Sequence, residues 1–323
     1  MLPASAQPLS AQGFLDRFKD PVDGSFDASA WLAEAYGFLP IVTLITEPAV
    51  DYGAALAVAF LHRPEDWDLE EARAAFSRGE VQAPVSASAA VGGYTFNDSW
   101  LVGGGHFGVW RDDTFRYSGF GGYGSFNLSI RGITPNEREF TFDYNIEGWG
   151  IIQQLRWRVP GTDLFVGGSY DLVGLTSEFR DLILPTENPE FEPELKRSSR
   201  NGALGLLLDY DNRDNTFSPN RGFRGQLETK RFATALLGDY DYWDGRLVLT
   251  GYVPFRERFV LGLRGVGQLQ SDGAPFWGLA SIQMRGVPAQ LYVGDSLGQA
   301  ETEFRWDFGT RWSALGFAGI GWA

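Results

Sequence analysis

Cysteine is absent from this 323-residue chain, and histidine occurs twice, as His62 and His106. Without thiols there are no disulfides, iron–sulfur clusters, thiolate zinc sites or cysteine nucleophiles. Two imidazoles leave little for histidine-based metal centres, so neither a metal nor a cofactor is expected. Positive charge is also scarce: 27 Lys+Arg face 41 Asp+Glu, a formal balance of −14. Such a surface repels a polyanion, which argues against nucleic acid as a partner. No uninterrupted apolar run reaches the roughly 18 residues that a membrane-spanning helix needs.

Glycine is abundant, at 41 of 323 residues, or about 13% against a usual ~7%. Aromatic residues make up 15% of the chain. The first residues, Ala4-Ser5-Ala6 before Gln7, have the small-x-small form of a signal-peptidase site, although the preceding charged and apolar regions are missing. Residues 1–6 are accordingly expected to be a signal-peptide remnant, an ordinary terminus being the alternative. Residues 7–35 form an N-terminal, periplasmic segment with one short helix, N-capped at Asp27 and running through Ala28 to Ala35. Asp20, Asp23-Gly24 and Asp27 do not make a calcium loop, because aligning Gly24 with the loop's glycine places Lys19 and Pro21 where oxygen ligands belong.

From residue 36 to 323 the pattern is that of strands. Within 299–308 the odd positions are polar or charged and the even ones run Ala, Thr, Phe, Trp, Phe. The same alternation marks 140–147 and 243–250 and, more weakly, 223–236 and 259–270. Thirteen candidate strands follow: 38–46, 51–63, 86–97, 100–112, 115–131, 139–158, 164–178, 201–213, 222–236, 240–254, 259–271, 295–309 and 312–323. At about ten to fifteen residues many exceed the five or six usual in soluble sheets and suit tilted transmembrane strands. Trp100, Trp110, Phe115, Tyr117, Trp149, Trp157, Tyr240, Tyr242 and Trp243 gather near strand ends, as an interfacial girdle does. Short turns at 97–99 and 160–163 and long connections at 64–84 and 180–199 fit a barrel with short turns at one rim and long loops at the other. The expected fold is thus all-β, an antiparallel transmembrane barrel. Because such barrels have even strand numbers, either the first two candidates are one element of a twelve-strand barrel or strands are missing.

The stretch from Leu208 to Gly222, LDYDNRDNTFSPNRG, resembles the strand-and-turn signature of the bacterial surface antigen superfamily, the BamA/TamA-type outer-membrane barrels. Its signature residues are Asp209, Asp211, Arg213, Asp214, Pro219 and Gly222. A second similarity is Met284-Arg285-Gly286-Val287 within the 272–294 loop, ahead of the strand bearing Glu301, Glu303 and Arg305. The opening (Phe18-Lys19-Asp20-Pro21, Gly37-Phe38-Leu39-Pro40 and 45–50) is similar to short members lacking periplasmic POTRA repeats. The resemblance implies a sixteen-strand parent whose last strands lie beyond this chain, with a closed twelve-strand barrel as the alternative.

It also implies that the loop arginine folds into the lumen onto an acidic residue of the inner wall. Arg285, followed by Gly286, takes that place, with Glu301 or Glu303 as partner; the alternative is that Arg285 caps a turn. A guanidinium forked onto a partly desolvated carboxylate can pin a loop that gains little from apolar burial. Where the family often offers an inward aspartate after a Phe, this chain has Phe317-Ala318-Gly319, which shifts the expectation to Glu303.

Two strings are decoys. Gly119-Phe120-Gly121-Gly122-Tyr123-Gly124 matches a dinucleotide fingerprint, but a strand continues through it where a helix should begin. Gly294-Asp295-Ser296-Leu297-Gly298 matches a serine-hydrolase elbow, yet no histidine follows His106. His106 is expected inside a strand, facing the lumen, and His62 at a strand end. No sequence constellation supports a lipid-modifying enzyme, and no enzymatic activity is expected. The resemblance implies a bacterial outer-membrane protein, in contact with outer-membrane lipids, that assists insertion of outer-membrane proteins or translocates polypeptide clients. The alternative is a passive pore whose ion preference is set by Arg156, Arg158, Arg246 and Arg264 against Glu301, Glu303, Asp143 and Asp244.

Overall fold

The computed structural model describes residues 38–46, 50–62, 86–133, 139–179, 196–215, 218–287, 291–308 and 312–323. The 1–6 remnant, the 7–35 segment with its helix and the motif residues before Phe38 lie outside the described residues. Thirteen strands form one sheet, paired antiparallel in chain order. They are β1 (Phe38–Ile45), β2 (Gly53–Leu61), β3 (Ala87–Thr95), β4 (Trp100–Trp110), β5 (Phe115–Ile133), β6 (Glu139–Arg158), β7 (Leu164–Phe179), β8 (Lys196–Asp211), β9 (Gly222–Phe232), β10 (Tyr242–Pro254), β11 (Phe259–Gln270), β14 (Ser296–Asp307) and β15 (Ser313–Trp322). The connection from β11 to β14 holds a small ladder of its own, β12 (Ala280–Ser281) with β13 (Val293–Gly294).

The twelve-strand expectation is overturned. The first two candidates are separate strands, paired from Phe38–Phe60 to Ile45–Gly53. Two almost wholly apolar runs, FLPIVTLI and GAALAVAFL, flank the connection at 46–52, and their antiparallel register makes them two strands. Among the described residues β1 and β15 do not pair, so the sheet is not a closed twelve-strand barrel but an open thirteen-stranded one. Smaller differences follow from local chemistry. β8 begins at Lys196, within the stretch expected to be a connection, and β9 stops at Phe232, before a 3-10 turn at Thr234–Leu236.

Strict up-and-down order also corrects the rims. The short turn at 96–99 shares its rim with the 180–195 and 271–295 connections, and the turn at 159–163 shares the opposite rim with 62–86. Long and short connections therefore occur at both ends. We call lower the rim at which β1 begins.

The two faces are inside-out relative to a water-soluble sheet. On β8, Asn201 and Asp209 are each 4% exposed, whereas Leu206, between them and on the other face, is 71% exposed. Register extends this contrast around the sheet. One outer row runs Phe115, Trp157, Val166, Leu208, Leu227 and Leu247 across six strands. The row one residue away, on the inner face, runs Arg116, Arg156, Gly167, Leu207, Glu228 and Arg246. A slip of one residue would put the charges where the leucines are, so the opposed character of the two faces fixes the register strongly.

Trp149 and Trp157 both point outward on β6 and lie about 26 Å apart along the strand at 3.3 Å per residue. Allowing for a tilt near 40°, the two rings stand about 20 Å apart in height, inside an apolar belt of roughly 25 Å. Beyond Trp149 the outer face turns polar. Asn145 Nδ2 donates to Ser125 Oγ and Asn127 Oδ1, each at 2.9 Å, and Thr176 Oγ1 lies 2.9 Å from Ser198 Oγ. The strands thus continue past the belt with hydrogen-bonded rungs in place of leucines.

Two orientations differ from expectation. Tyr242 is not a girdle residue: it is 1% exposed on the inner face, stacked on Phe232 at 4.2 Å, while its neighbour Trp243 points out. His106 does not face the lumen. Its cross-strand row passes through Gly119, Gln153 and Tyr170 to the exposed Leu204, so period-two geometry places it on the outer wall. Replacing Leu206 by Arg is expected to cost about 2–4 kcal/mol in lipid vesicles, as charge on a lipid-facing midplane site does. Denaturant unfolding of the vesicle-inserted variant checks this; an unchanged midpoint would mean that this face does not meet lipid.

Candidate functional site

β14 alternates because its inner residues Leu297, Gln299, Glu301, Glu303 and Arg305 share one face by strand geometry. The chain from β11 returns across this face before β14 begins. It first makes a 3-10 turn at Phe276–Gly278, fixed by Gln270, whose Nε2 donates to Gly278 O at 3.0 Å and whose Oε1 accepts from Ala280 N at 2.9 Å. Ile282, 5% exposed, and Met284 then lie on the glycines of β15. A Cβ at Gly319 would stand 2.6 Å from Met284 Cε, and one at Gly321 3.0 Å from Ile282 Cδ1. Gly319, which cannot supply a carboxylate, instead supplies the space in which the loop lies.

Between these apolar contacts the loop is tied by polar ones. Gln283 and Gln299 exchange two hydrogen bonds of 3.0 Å, backbone N to side-chain Oε1 and side-chain Nε2 to backbone O. Arg285 Nη1 donates to Glu303 Oε2 at 2.9 Å, and its Nε lies 3.8 Å from Glu301 Oε1. Glu301 is held from the other side by Arg264 Nη1 at 2.6 Å. The Arg285 guanidinium carbon lies 4.0 Å from the centre of the Phe317 ring, a cation–π contact. Gly286, at φ +81°, lets the chain turn away after Arg285. The two carboxylates named from sequence are thus both within reach, Glu303 directly and Glu301 at longer range.

The second signature builds the turn between β8 and β9 at the lower rim. Asp209 is buried on the inner wall and accepts a fork from Arg224, Nε at 3.1 Å and Nη2 at 2.9 Å. Asp211 takes a second fork from Arg213, at 2.8 and 2.7 Å, and this hydrogen bond raises the Arg213 pKa above its ordinary value. Asp214 Oδ1 accepts from the backbone N–H of Asn220 at 2.9 Å and Arg221 at 3.2 Å, closing the loop on itself. Gly222 has φ +108°, and a Cβ there would lie 2.6 Å from Arg213 Cα. These residues build a structure; none is placed to do acid–base chemistry.

Arg305, from the same inner face of β14, joins the two signatures. Its Nη1 donates to Ser218 Oγ at 3.2 Å and to the carbonyl of the buried Pro219 at 3.4 Å, and its Nη2 to Asn220 Oδ1. Loop and turn therefore converge on one strand, the loop from the upper rim onto residues 299–303 and the turn from the lower rim onto 305. Sequence reasoning missed the roles of Arg224 and Arg305. Their signal was positional only, an arginine two residues past Gly222 and another two past Glu303.

Between the loop and the wall remains a cavity of about 330 Å³, lined by Asp171, Glu228, Lys230, Asp244, Arg246 and Trp277 among others. Lys230 Nζ lies 2.7 Å from Asp171 and 3.1 Å from Glu228. Among the described residues no group of three or more His, Asp or Glu side chains is arranged to hold a metal. Of the pore-lining charges expected from sequence, the side chain of Asp143 lies outside the described residues.

No family model matches the chain, and no curated protein does. Among solved structures the fold is similar to that of BamA from Haemophilus ducreyi lacking POTRA domains 1–3. The TM-score is 0.57 at 12% identity, over 98% of this chain and 70% of that one. The likeness is therefore one of fold.

Two substitutions test the site. With Arg285 44% exposed, its ion pairs contribute no more than about 1 kcal/mol, so Arg285→Ala is expected to leave the sheet folded and to speed amide exchange at 282–287. Unchanged exchange there would show that Arg285 does not hold the loop. Gly222→Ala is expected to destabilise by at least about 1–2 kcal/mol, from positive φ and the contact with Arg213, read as a lower unfolding midpoint.

Proposed function

We propose that the chain is a bacterial outer-membrane barrel of the BamA/TamA kind that handles polypeptides, assisting insertion of outer-membrane proteins or translocation of secreted chains. Residues 1–6 are the end of an export signal and 7–35 a periplasmic segment in this proposal. Lipids surround the leucine-rich outer wall, and unfolded polypeptides are the clients. The fold likeness to BamA supports the membrane setting.

The observation that carries the proposal is the convergence of loop and turn on β14, the strand next to β15, which among the described residues pairs on one side only. Edge strands present unpaired N–H and C=O groups to which an extended segment can add. β15 is exposed along its whole length, with Ile320 and Trp322 among its outward residues. A loop pinned by Arg285 to Glu303 and Glu301, and resting on Gly319 and Gly321, bears on both strands of that edge. Its release would loosen them, so the lock couples the lumen to the edge. No bond-making step is needed for such a role.

A passive pore is the second reading, favoured by the charged inner wall. Arg156, Arg246 and Arg264 share the concave face with Glu228, Asp244 and Glu301. The two functions separate in liposomes. Accelerated insertion of a denatured test barrel, diminished by Arg285→Ala, is the expected outcome. Steady conductance in planar bilayers that rises in Arg285→Ala, without any effect on insertion, would replace the polypeptide-handling proposal with a loop-gated pore.

A further inference from the structure

The only two histidines of the chain meet on the outer wall, with a serine between them. His62 follows the last residue of β2, Ser88 belongs to β3 and His106 to β4. Ser88 Oγ lies 2.9 Å from His62 Nε2 and 2.9 Å from His106 Nδ1, and the two imidazole rings are 5.4 Å apart. A serine hydroxyl has one proton to give, so it donates to one ring and accepts an N–H from the other. One imidazole is therefore placed as a base toward Ser88 and the other as a hydrogen-bond donor beside the same oxygen.

The surroundings suit a lipid ester. Ser88 pairs in register with Phe60, 43% exposed on the outer face, and two rows along that face is Leu56, 48% exposed. This apolar track leads to the hydroxyl from within the belt. The rings of Trp110 and Tyr117 each stand 6.2 Å from His106 on the other side, and His62 is open at the lower rim. An acyl chain lying on Phe60 and Leu56 would bring its ester carbonyl, at the interface, to Ser88.

We propose that Ser88, His62 and His106 form an esterase site on the outer wall, with acyl esters of membrane lipids as substrates. Ser88 Oγ attacks the carbonyl carbon as its proton passes to the accepting imidazole. The C–O bond to the lipid alcohol breaks, and the alcohol leaves with a proton from an imidazolium. Water then adds to the acyl-serine, giving a proton to the imidazole, and the fatty acid departs as Ser88 takes its proton back. The choice of substrate rests on the outer wall facing lipid; the serine and its two imidazoles do not.

The test uses the full chain, refolded in detergent and in phosphatidylethanolamine vesicles, with a fluorophosphonate probe and with fatty-acid release from those vesicles. A single adduct on Ser88, identified by peptide mass, is expected, with labelling abolished in Ser88→Ala. Labelling should fall by about 100-fold or more in the variant, His62→Asn or His106→Asn, that removes the base. Failure of the wild-type chain to label, while a control serine hydrolase labels, overturns the site, as does an adduct at any other serine. The Leu206→Arg measurement separates the premises: if that variant is destabilised in lipid and no adduct forms, only the esterase proposal fails. Probe labelling without fatty-acid release, together with an unaffected Leu206→Arg, would instead overturn the lipid substrate.

Discussion

The inner face of β14 is the constraint on which the arrangement of this protein depends. Period-two geometry puts Gln299, Glu301, Glu303 and Arg305 in one line, and each holds a segment from elsewhere. The loop descends from one rim and the turn rises from the other, so the strand acts as a spine for the lumen. Charge makes this economical. Carboxylates at 301 and 303 hold the loop arginine, and the reversed sign at 305 holds the carbonyl and amide oxygens of the turn. Together with Ile282 and Met284 packed against Gly319 and Gly321, such directional contacts decide the position of the loop.

The outer face obeys the opposite rule. Leu204, Leu206 and Leu208 exposed on one side of β8, and Asn201 and Asp209 buried on the other, make the sheet unsuited to water and suited to lipid. Above the belt the outer rungs become Asn, Ser and Thr, which exchange hydrogen bonds with one another. The Ser88 cluster is a polar exception at the lower edge of the belt. Polar groups facing lipid are costly unless partnered, and here the partners are the two imidazoles of His62 and His106.

Much of the fold was legible in the residues. All thirteen strands of the sheet overlap the candidates read from the sequence, and the differences, such as the start of β8 at Lys196, fall at ends where polar residues obscure the period. Arg285, Glu301 and Glu303 were legible because strand parity and a family-like loop named them. The contacts of Arg224 and Arg305 were not, since both bridge residues that come together only when the turn folds inward. The sense of the girdle was legible at Trp157 and Trp243 and failed at Tyr242, because an aromatic near a strand end carries no mark of which face it takes.

The sequence by itself determined the strand pattern and the opposed character of the two faces, because each depends on neighbours one to four residues apart. Tertiary structure decided which face His106 took, that Gly319 yields space to Met284, that the sheet keeps two free edges among the described residues, and that residues 62, 88 and 106 form one cluster. Those outcomes depend on register between strands. Register is set by the sum of all cross-strand pairs and the surrounding medium, and no short window of residues contains it.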